Sequence, residues 1–482
     1  MTRLAIDTLA MLPATVRRPA YTPAGVRVGI VHLGVGNFHR AHQAVAWDDL
    51  LGAGQAHWGV AGVSLRSDTL ARALSPQQGL YTLLERGPQR VQARIVGSLR
   101  QCLHAPSQMA DVLRLLADPQ VQVVSLTVTE NGYQRGANGD LNEQALAQAQ
   151  APADAPPSGT LAVLYAGLAL RRQLGGPPLT LLSCDNLSGN GQVLMHQLRT
   201  FAERRGDQPT LSWLRDSVSA PDTMVDRIAP ATTDADRADA RALTGLVDAW
   251  PVATEPFTQW VIADRFAGQR PALAISPGVR LVADVTGYER MKLGLLNAAH
   301  SAIAYLGLAA GWTSVAEAIG HPPLQCWIER LWAEELVHAL PASLHPEAAT
   351  YTRELLVRFA NPGLRHLTAQ IANDGSQKTP LRWLPALQAC RAAGRPTPLL
   401  STAWAAWLHC LREPALAVQF TDPGVAALAA GWRGPADTAA RALVAQPALF
   451  GSLAGDPALG EGIGRALARL EADGVVAGLA AH

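Results

Sequence analysis

The stretch VGIVHLGVGNFHRAHQA, residues 28–44, decides how this chain is read. An apolar run ends in Gly34-Val35-Gly36 and passes into the helical pattern AHQAVAWDDLL, the strand, turn and helix of a dinucleotide site. The first glycine lets the chain turn tightly, and the second lets the backbone approach a pyrophosphate at the helix N-terminus. The third glycine of the fingerprint is missing, and His39 and Arg40 stand in its place. Because that glycine serves helix–strand packing, its loss bears on packing rather than on phosphate contact. Arg40 beside the turn adds to anion binding, although two glycines alone fit an ordinary strand-to-helix turn equally well.

Outward from this turn, residues 26–33, 58–65, 121–129 and 179–183 read as strands. Near-continuous apolar runs between helical stretches indicate parallel strands covered on both faces, hence a doubly wound α/β domain of Rossmann type. Residues 134–159 turn to Gly, Asn, Gln, Ala and Pro, a surface excursion given no function, before a helix that begins near Thr160. From about Asp284 the strand signals fade, and CWIERLWAEELVHAL (326–340) and LLSTAWAAWLHCLREPA (399–415) carry helical spacing. The expected organisation is a Rossmann-type domain over 1–283 and a mainly α-helical domain over 284–482.

With 482 residues, 48% of them hydrophobic, the chain has material for several cores. Forty basic against 39 acidic residues, with no long run of either sign, argue against a nucleic-acid groove or a polybasic membrane patch. A small neutral or anionic substrate is expected, for a monomer or small homo-oligomer. Cys102, Cys184, Cys326, Cys390 and Cys410 are widely spaced, with no C-x-x-C pair, and read as reduced in a cytoplasmic protein. No metal is expected, since His39 and His42 lack a nearby carboxylate or thiol to complete a site. Asp7 interrupts the apolar N-terminus, which argues against a secretory peptide. The uncharged run 293–316 is long enough to span a bilayer, but it carries Asn297, His300 and Ser301 and reads as a buried helix.

Three clusters fall at strand ends, where ligands of open α/β sheets sit. VAGVSLRSD places Asp68 near the adenosine ribose hydroxyls, later in the chain than the usual ~20 residues from the glycines. There it favours NAD by repelling a 2′-phosphate, whereas Arg66 tolerates NADP; a surface acid fits the spacing as well. SLTVTENGY (125–133) brings Thr129, Glu130 and Asn131, and LLSCDNLSGNG (181–191) brings Asp185 and Asn186.

In GYERMKLGLLNAAHSAIAYLG (287–307), about 100° per residue with Lys292 at zero sets Glu289, Asn297 and His300 near about 60°, 140° and 80°. A polar stripe thus runs along a helix that otherwise belongs in a core. Lys292 has Leu296 at i+4 and no acid downstream before Glu317. A lysine buried without a paired charge has a lowered pKa and offers a neutral amine as a base; a lysine snorkelling from a helix start is the alternative. RFANPGLRHLTAQIANDGSQKTP (358–380) gathers Arg365, His366, Gln370, Asp374, Ser376 and Lys378, either as substrate contacts or as a turn between helices.

Together, GVGNFHRAHQ, SLTVTENGY, SCDNLSGNG, TMVDRIAP, EPFTQWVIADRFAGQRP, YERMKLGLLNAAHSAIAYLG and NDGSQK resemble, in order from Gly29 to about Trp383, the polyol-specific long-chain dehydrogenase family. That family includes mannitol 2-dehydrogenases and fructuronate reductases. The resemblance implies a zinc-independent, NAD(P)-linked enzyme with NAD as cofactor and NADP as the alternative. It implies Lys292 as general base, Asn186 and Asn297 as stabilisers of the alkoxide, His300 as a substrate partner and Glu289 as the acid on the proton route. Gly34, Gly36, Phe38, His39 and Arg40 become the family's own form of the phosphate turn, with Asp68, Thr129, Glu130, Val225 and Asp226 also on the cofactor side. Arg365, His366 and Lys378 fall to the substrate. "NAAH" replaces the family's "NGSH", and the 364–378 stretch looks closer to fructuronate reductases. The N-terminal LPATVRRPAYTPAGVRVGI, "GLLN" and Asn131 look closer to mannitol dehydrogenases. The expected reaction is a hexitol–ketose interconversion such as mannitol and fructose. A hexonate–ketohexuronate pair is the alternative, and a nucleotide-binding sensor without turnover is a third reading.

Overall fold

The computed structural model describes residues 2–128, 130–136, 139–152, 154–364, 366–422, 424–425 and 431–480; Thr129 and Arg365, and the side chains of Glu130 and Asn131, fall outside the described set. Two compact units result, Met1–Thr286 and Gly287–His482.

The first unit is built on strands β1 (Val28–Leu33), β2 (Gly59–Ser64), β3 (Tyr81–Arg86), β4 (Val91–Val96), β5 (Leu99–His104), β6 (Val123–Leu126), β7 (Leu179–Ser183) and β8 (Val218–Ser219), followed by β9 (Thr223–Asp226), β10 (Val252–Thr254), β11 (Gln259–Ala263) and β12 (Val279–Val282). Its main sheet has the order β5-β2-β1-β6-β7-β8, with every pairing parallel. Counting only these six strands along the chain, that order is 3-2-1-4-5-6, the Rossmann arrangement, and it reverses between β1 and β6. The runs that read as strands lie in this sheet because both faces are covered: β1, β2, β6 and β7 are buried at nearly every position. The β3–β4 hairpin interrupts the alternation and pairs with β10 in a second sheet, while β9, β11 and β12 form a third.

The excursion at 134–159 is more ordered than its composition implies. It contains a helix, Glu143–Gln150, whose first turn is capped by the Asn142 side chain accepting from the Ala145 N–H at 2.9 Å. Ala and Gln alternate there without an apolar stripe, so periodicity does not mark it.

Among its described residues the second unit contains helices and no strand. Its core is rich in tryptophan: Trp327, Trp332, Trp383, Trp404 and Trp407 are all buried. The stretch Thr286–Ala310 is the one helix among the described residues long and apolar enough to cross a membrane, and 72% of its most apolar window is buried within the protein. A second buried element, the π-helical turn Leu331–Leu336, carries Glu335, whose carboxylate accepts the Leu399 and Leu400 N–H groups at 2.7 and 2.8 Å. Those are orphan donors in the first turn of the helix Pro398–Arg412.

Burial pushes the Glu335 carboxyl up from 4.5 to about 7, against the pull of the two N–H donors. A folded-state value above the unfolded one means that this group's stabilisation is complete below about pH 4.5 and is lost as the pH rises through about 7. Urea unfolding of Glu335→Gln at pH 5 and pH 8 should accordingly show a smaller drop in stability than the wild type does. An equal or larger drop in the variant would locate the pH dependence elsewhere.

Candidate active site

The phosphate turn is held by a short chain of hydrogen bonds. Gly34 takes φ +96°, and a Cβ there would meet the Thr127 carbonyl oxygen at 2.5 Å, so only glycine fits. Thr127 Oγ1 donates to the Gly34 carbonyl at 2.7 Å and in turn accepts from His32 Nε2 at 2.8 Å. His32 Nδ1 is then the acceptor for Ser125 Oγ at 2.8 Å, which fixes the neutral tautomer. Burial lowers its pKa to about 3, so the ring stays neutral at any working pH.

His39 occupies the position of the missing glycine and lies flat on His32, with ring centroids 3.4 Å apart and an interplanar angle of 14°. Where glycine would let helix and strand touch, a stacked imidazole pair fills the gap. At Gly36 the nearest atom to an added Cβ is the Gly34 carbonyl oxygen, 3.9 Å away, so the backbone faces open space there. The turn therefore presents a cradle that suits a pyrophosphate.

A cleft of about 680 Å³ opens at this turn, beside the β1–β6 reversal. Gly34, Gly36 and Asn37 line it, together with Arg66, Ser67 and Thr69 from the end of β2. Arg40 also reaches it, but its guanidinium is fully buried and holds the local structure, donating to the Trp250 carbonyl at 2.5 Å and to Asn37 Oδ1 at 2.6 Å. Gln134, Gln144, Ser158 and Gly159 complete the far wall, so the 134–159 excursion, read from sequence as having no function, forms part of the cleft. A glycine immediately before a helix, in SGT (158–160), was the available signal.

In the second unit, Lys292 begins a π-helical turn, Lys292–Asn297, set between the α-helical segments Thr286–Met291 and Ala298–Ala310. The uniform rotation of about 100° per residue does not hold across it. A π turn closes its ladder from i to i+5, so Asn297 stands to Lys292 as i+4 stands to i in an α-helix. His300 follows three residues later, and Lys292, Asn297 and His300 share a narrower face than a regular helix gives them. Two distant indoles serve the carbonyls of the distorted stretch: Trp332 Nε1 donates to Leu295 O at 3.0 Å, and Trp383 Nε1 donates to Ala298 O at 3.0 Å.

Lys292 and His300 are buried, and Glu289 and Asn297 are half-buried. His300 stacks on Phe359 and meets His366 edge-on at 4.4 Å. Burial, followed by the positive charges of His366, Arg382, Arg358 and Lys378, holds its pKa well below the ordinary 6.5. Its Nε2 is buried without a hydrogen-bond partner. His366 is likewise lowered, to about 4, by burial and then Arg358. Lys378 donates to the Asn373 carbonyl at 2.7 Å, and burial lowers its pKa. The result is a neutral imidazole with an unanswered nitrogen in a positive field.

Residues 28–275 match the mannitol dehydrogenase Rossmann domain, and residues 284–471 match the mannitol dehydrogenase C-terminal domain. The chain belongs to the mannitol dehydrogenase family. As a member of that family it is a dehydrogenase acting on a CH–OH group. It is 38% identical to mannitol dehydrogenase 2 of Saccharomyces cerevisiae, over 85% of this chain and 83% of that protein. It is 36% identical to mannitol 2-dehydrogenase of Cereibacter sphaeroides, over 96% and 98% of the two chains. Among solved structures it is similar to Pseudomonas fluorescens mannitol 2-dehydrogenase in ternary complex with NAD and D-mannitol, with a TM-score of 0.86, 33% identity and 99% of each chain covered.

Within this mannitol dehydrogenase family chain, the residues expected at the site fall into separate groups. Gly34, Gly36 and Arg40 line the cleft. Phe38 and His39 do not; Phe38 stacks on His42, and His39 packs on His32. Val225 and Asp226 lie buried in β9, away from the cleft lining. Asp68 sits at the head of the helix Thr69–Leu74 with its carboxylate on Arg72. Asn186 is exposed just beyond β7, next to Asp185, which accepts from Ser183 Oγ, the Leu187 N–H and the Tyr133 hydroxyl. Thr129 and Arg365, and the side chains of Glu130 and Asn131, lie outside the described residues. His42 donates its Nε2–H to the Gln259 carbonyl, and no group of three potential metal ligands occurs among the described residues.

The stack makes the fingerprint's own residue the wrong one here. Restoring glycine, His39→Gly, should cost about 3 kcal/mol by emptying an aromatic site, whereas His39→Phe should stay within about 1.5 kcal/mol of wild type. Urea unfolding distinguishes the two, and a neutral glycine variant would remove the packing role.

Proposed function

We propose that this chain is an NAD-dependent secondary-alcohol dehydrogenase of the mannitol 2-dehydrogenase type, interconverting a hexitol such as mannitol with a ketose such as fructose. The observation that carries this reading is the π turn that sets Lys292, Asn297 and His300 along one buried helix face. The named ligands of the Pseudomonas fluorescens neighbour, NAD and D-mannitol, agree with it. The Gly34–Gly36 turn would hold the pyrophosphate of the cofactor. NAD, when bound, supplies the hydride acceptor.

In the oxidation direction Lys292, as the neutral amine, takes the proton of the reacting hydroxyl. Asn186 and Asn297 donate N–H groups to the oxygen as negative charge develops on it. His300, neutral and with an unsatisfied Nε2, hydrogen-bonds a neighbouring substrate hydroxyl. Glu289, one turn before Lys292, passes the proton onward. In reduction the ammonium of Lys292 returns it. An amine and two amides account for both the proton and the charge, so no metal enters this scheme.

A second reading is supported by the positive charges of Arg358, Lys378 and Arg382 around His300. They suit a substrate carboxylate, as in a hexonate–ketohexuronate pair.

Lys292→Ala should lower kcat by about 10²–10⁴-fold while cofactor binding, followed by NADH fluorescence, persists. Near-normal turnover at every pH would refute the mechanism. Reduction of fructose and fructuronate, measured side by side in wild type and Arg365→Ala, separates the substrates. A rise in KM confined to fructuronate favours the second reading, and activity on fructose alone favours the first.

A further inference from the structure

The end of β2 is where a dinucleotide-binding sheet decides between a ribose hydroxyl and a 2′-phosphate. An acid aimed at the ribose accepts hydrogen bonds from the hydroxyls and repels the phosphate, whereas an arginine there attracts it. The chain offers both residues, Arg66 and Asp68, in the segment Leu65-Arg66-Ser67-Asp68-Thr69.

The two side chains have different surroundings. Asp68 leads into the helix Thr69–Leu74, and both its oxygens are engaged by Arg72 one turn later, Oδ1 at 2.9 Å and Oδ2 at 2.7 Å. A fork-to-fork pair of this kind neutralises the carboxylate and fixes its direction along its own helix. Asp68 is not part of the cleft lining, while Arg66, Ser67 and Thr69 are. Ser67 Oγ and Thr69 Oγ1 lie 2.6 Å apart, and the Thr69 N–H donates to Ser67 Oγ at 3.2 Å, so the two hydroxyls form one small polar knot at the cleft edge. Arg66 is exposed, and no ion pair involves it among the described residues. The described lining of the whole cleft contains no Asp or Glu; its charged members are Arg40 and Arg66. Arg40 is buried and engaged with Trp250 and Asn37, which leaves Arg66 as the cation facing the opening.

We propose that Arg66, Ser67 and Thr69 form a subsite for the 2′-phosphate of a phosphorylated dinucleotide, so that this dehydrogenase binds NADP(H) alongside NAD(H). The proposal rests on the reading of the cleft as the dinucleotide site. Arg66 supplies the charge and a planar set of donors, and the paired hydroxyls supply neutral donors at the rim. Asp68, turned onto Arg72, does not oppose the phosphate.

Equilibrium titration calorimetry with adenosine 2′,5′-bisphosphate and with 5′-AMP isolates the extra phosphate from the rest of the cofactor and from catalysis. The wild type should bind the bisphosphate at least as tightly as the monophosphate, with a preference that shrinks as ionic strength rises. In Arg66→Ala the ratio of the two dissociation constants should shift about tenfold against the bisphosphate; because the ratio is internal to each protein, a general loss of folded material does not mimic it. In Asp68→Asn the ratio should stay within about twofold. A wild type that binds 5′-AMP but discriminates tenfold or more against the bisphosphate, or an Arg66→Ala ratio equal to that of wild type, would overturn the subsite. A tenfold gain for the bisphosphate in Asp68→Asn would also overturn it, by showing that the acid does face the ligand. Failure of the wild type to bind either nucleotide would overturn the dinucleotide reading of the cleft, and the subsite with it.

Discussion

The first unit depends on one backbone conformation, the left-handed Gly34, and on the contacts that leave it no alternative. Thr127, at the end of the neighbouring strand β6, approaches so closely that any side chain at position 34 would collide with its carbonyl. The same residue's hydroxyl holds the Gly34 carbonyl from the other side and is itself held by His32. β1 and β6 are the two strands between which the sheet order reverses, so the turn is braced at the point where the cleft must open. His39 completes the arrangement by covering His32 and excluding water from it.

A comparable constraint acts in the second unit, with different parts. A helix running through a core ordinarily presents a regular stripe, and a lysine within it would be hard to accommodate. The π turn changes the spacing locally, and its cost falls on backbone carbonyls whose usual ladder is disturbed. Trp332 and Trp383 supply indole donors to that stretch while their rings fill the surrounding core. Packing and polar satisfaction are thus achieved by the same side chains, which explains why so much tryptophan is gathered in this unit.

Much of this architecture was legible in the amino-acid order. The four strands around the turn came within a few residues of their observed limits because strands covered on both faces are apolar at nearly every position. The polar set Glu289, Lys292, Asn297 and His300 was visible because each member interrupts an otherwise apolar helix. Their mutual angles were not, since a helical wheel assumes one rotation per residue and a π turn leaves no mark in composition. The partners that stabilise that turn lie 37 and 85 residues away from the carbonyls they serve, beyond the reach of any local pattern. Asp68 illustrates the opposite difficulty: its residue type and strand-end position suggested a ribose contact, but Arg72 four residues later offers a helix-spaced partner. His39 looked like a defect in a fingerprint because its counterpart, His32, sits on the preceding strand and is recognisable only once the two rings are seen stacked.

The excursion after β6 has a further significance for how such an enzyme can change. Its two ends are secured at one residue: the Gln134 carbonyl accepts from the Asn142 N–H at 2.7 Å, and its side-chain oxygen accepts from the Leu161 N–H at 3.2 Å. Chain added or removed between those anchors leaves the sheet register untouched. Closing a longer loop is inexpensive, since each doubling of its length costs only about 0.6 kcal/mol of entropy. Yet Gln144, Ser158 and Gly159 from this segment face the cleft. The fold therefore keeps one wall of its cleft on a detachable panel, where insertions and deletions can remodel the cavity without reopening the question of how the strands pair.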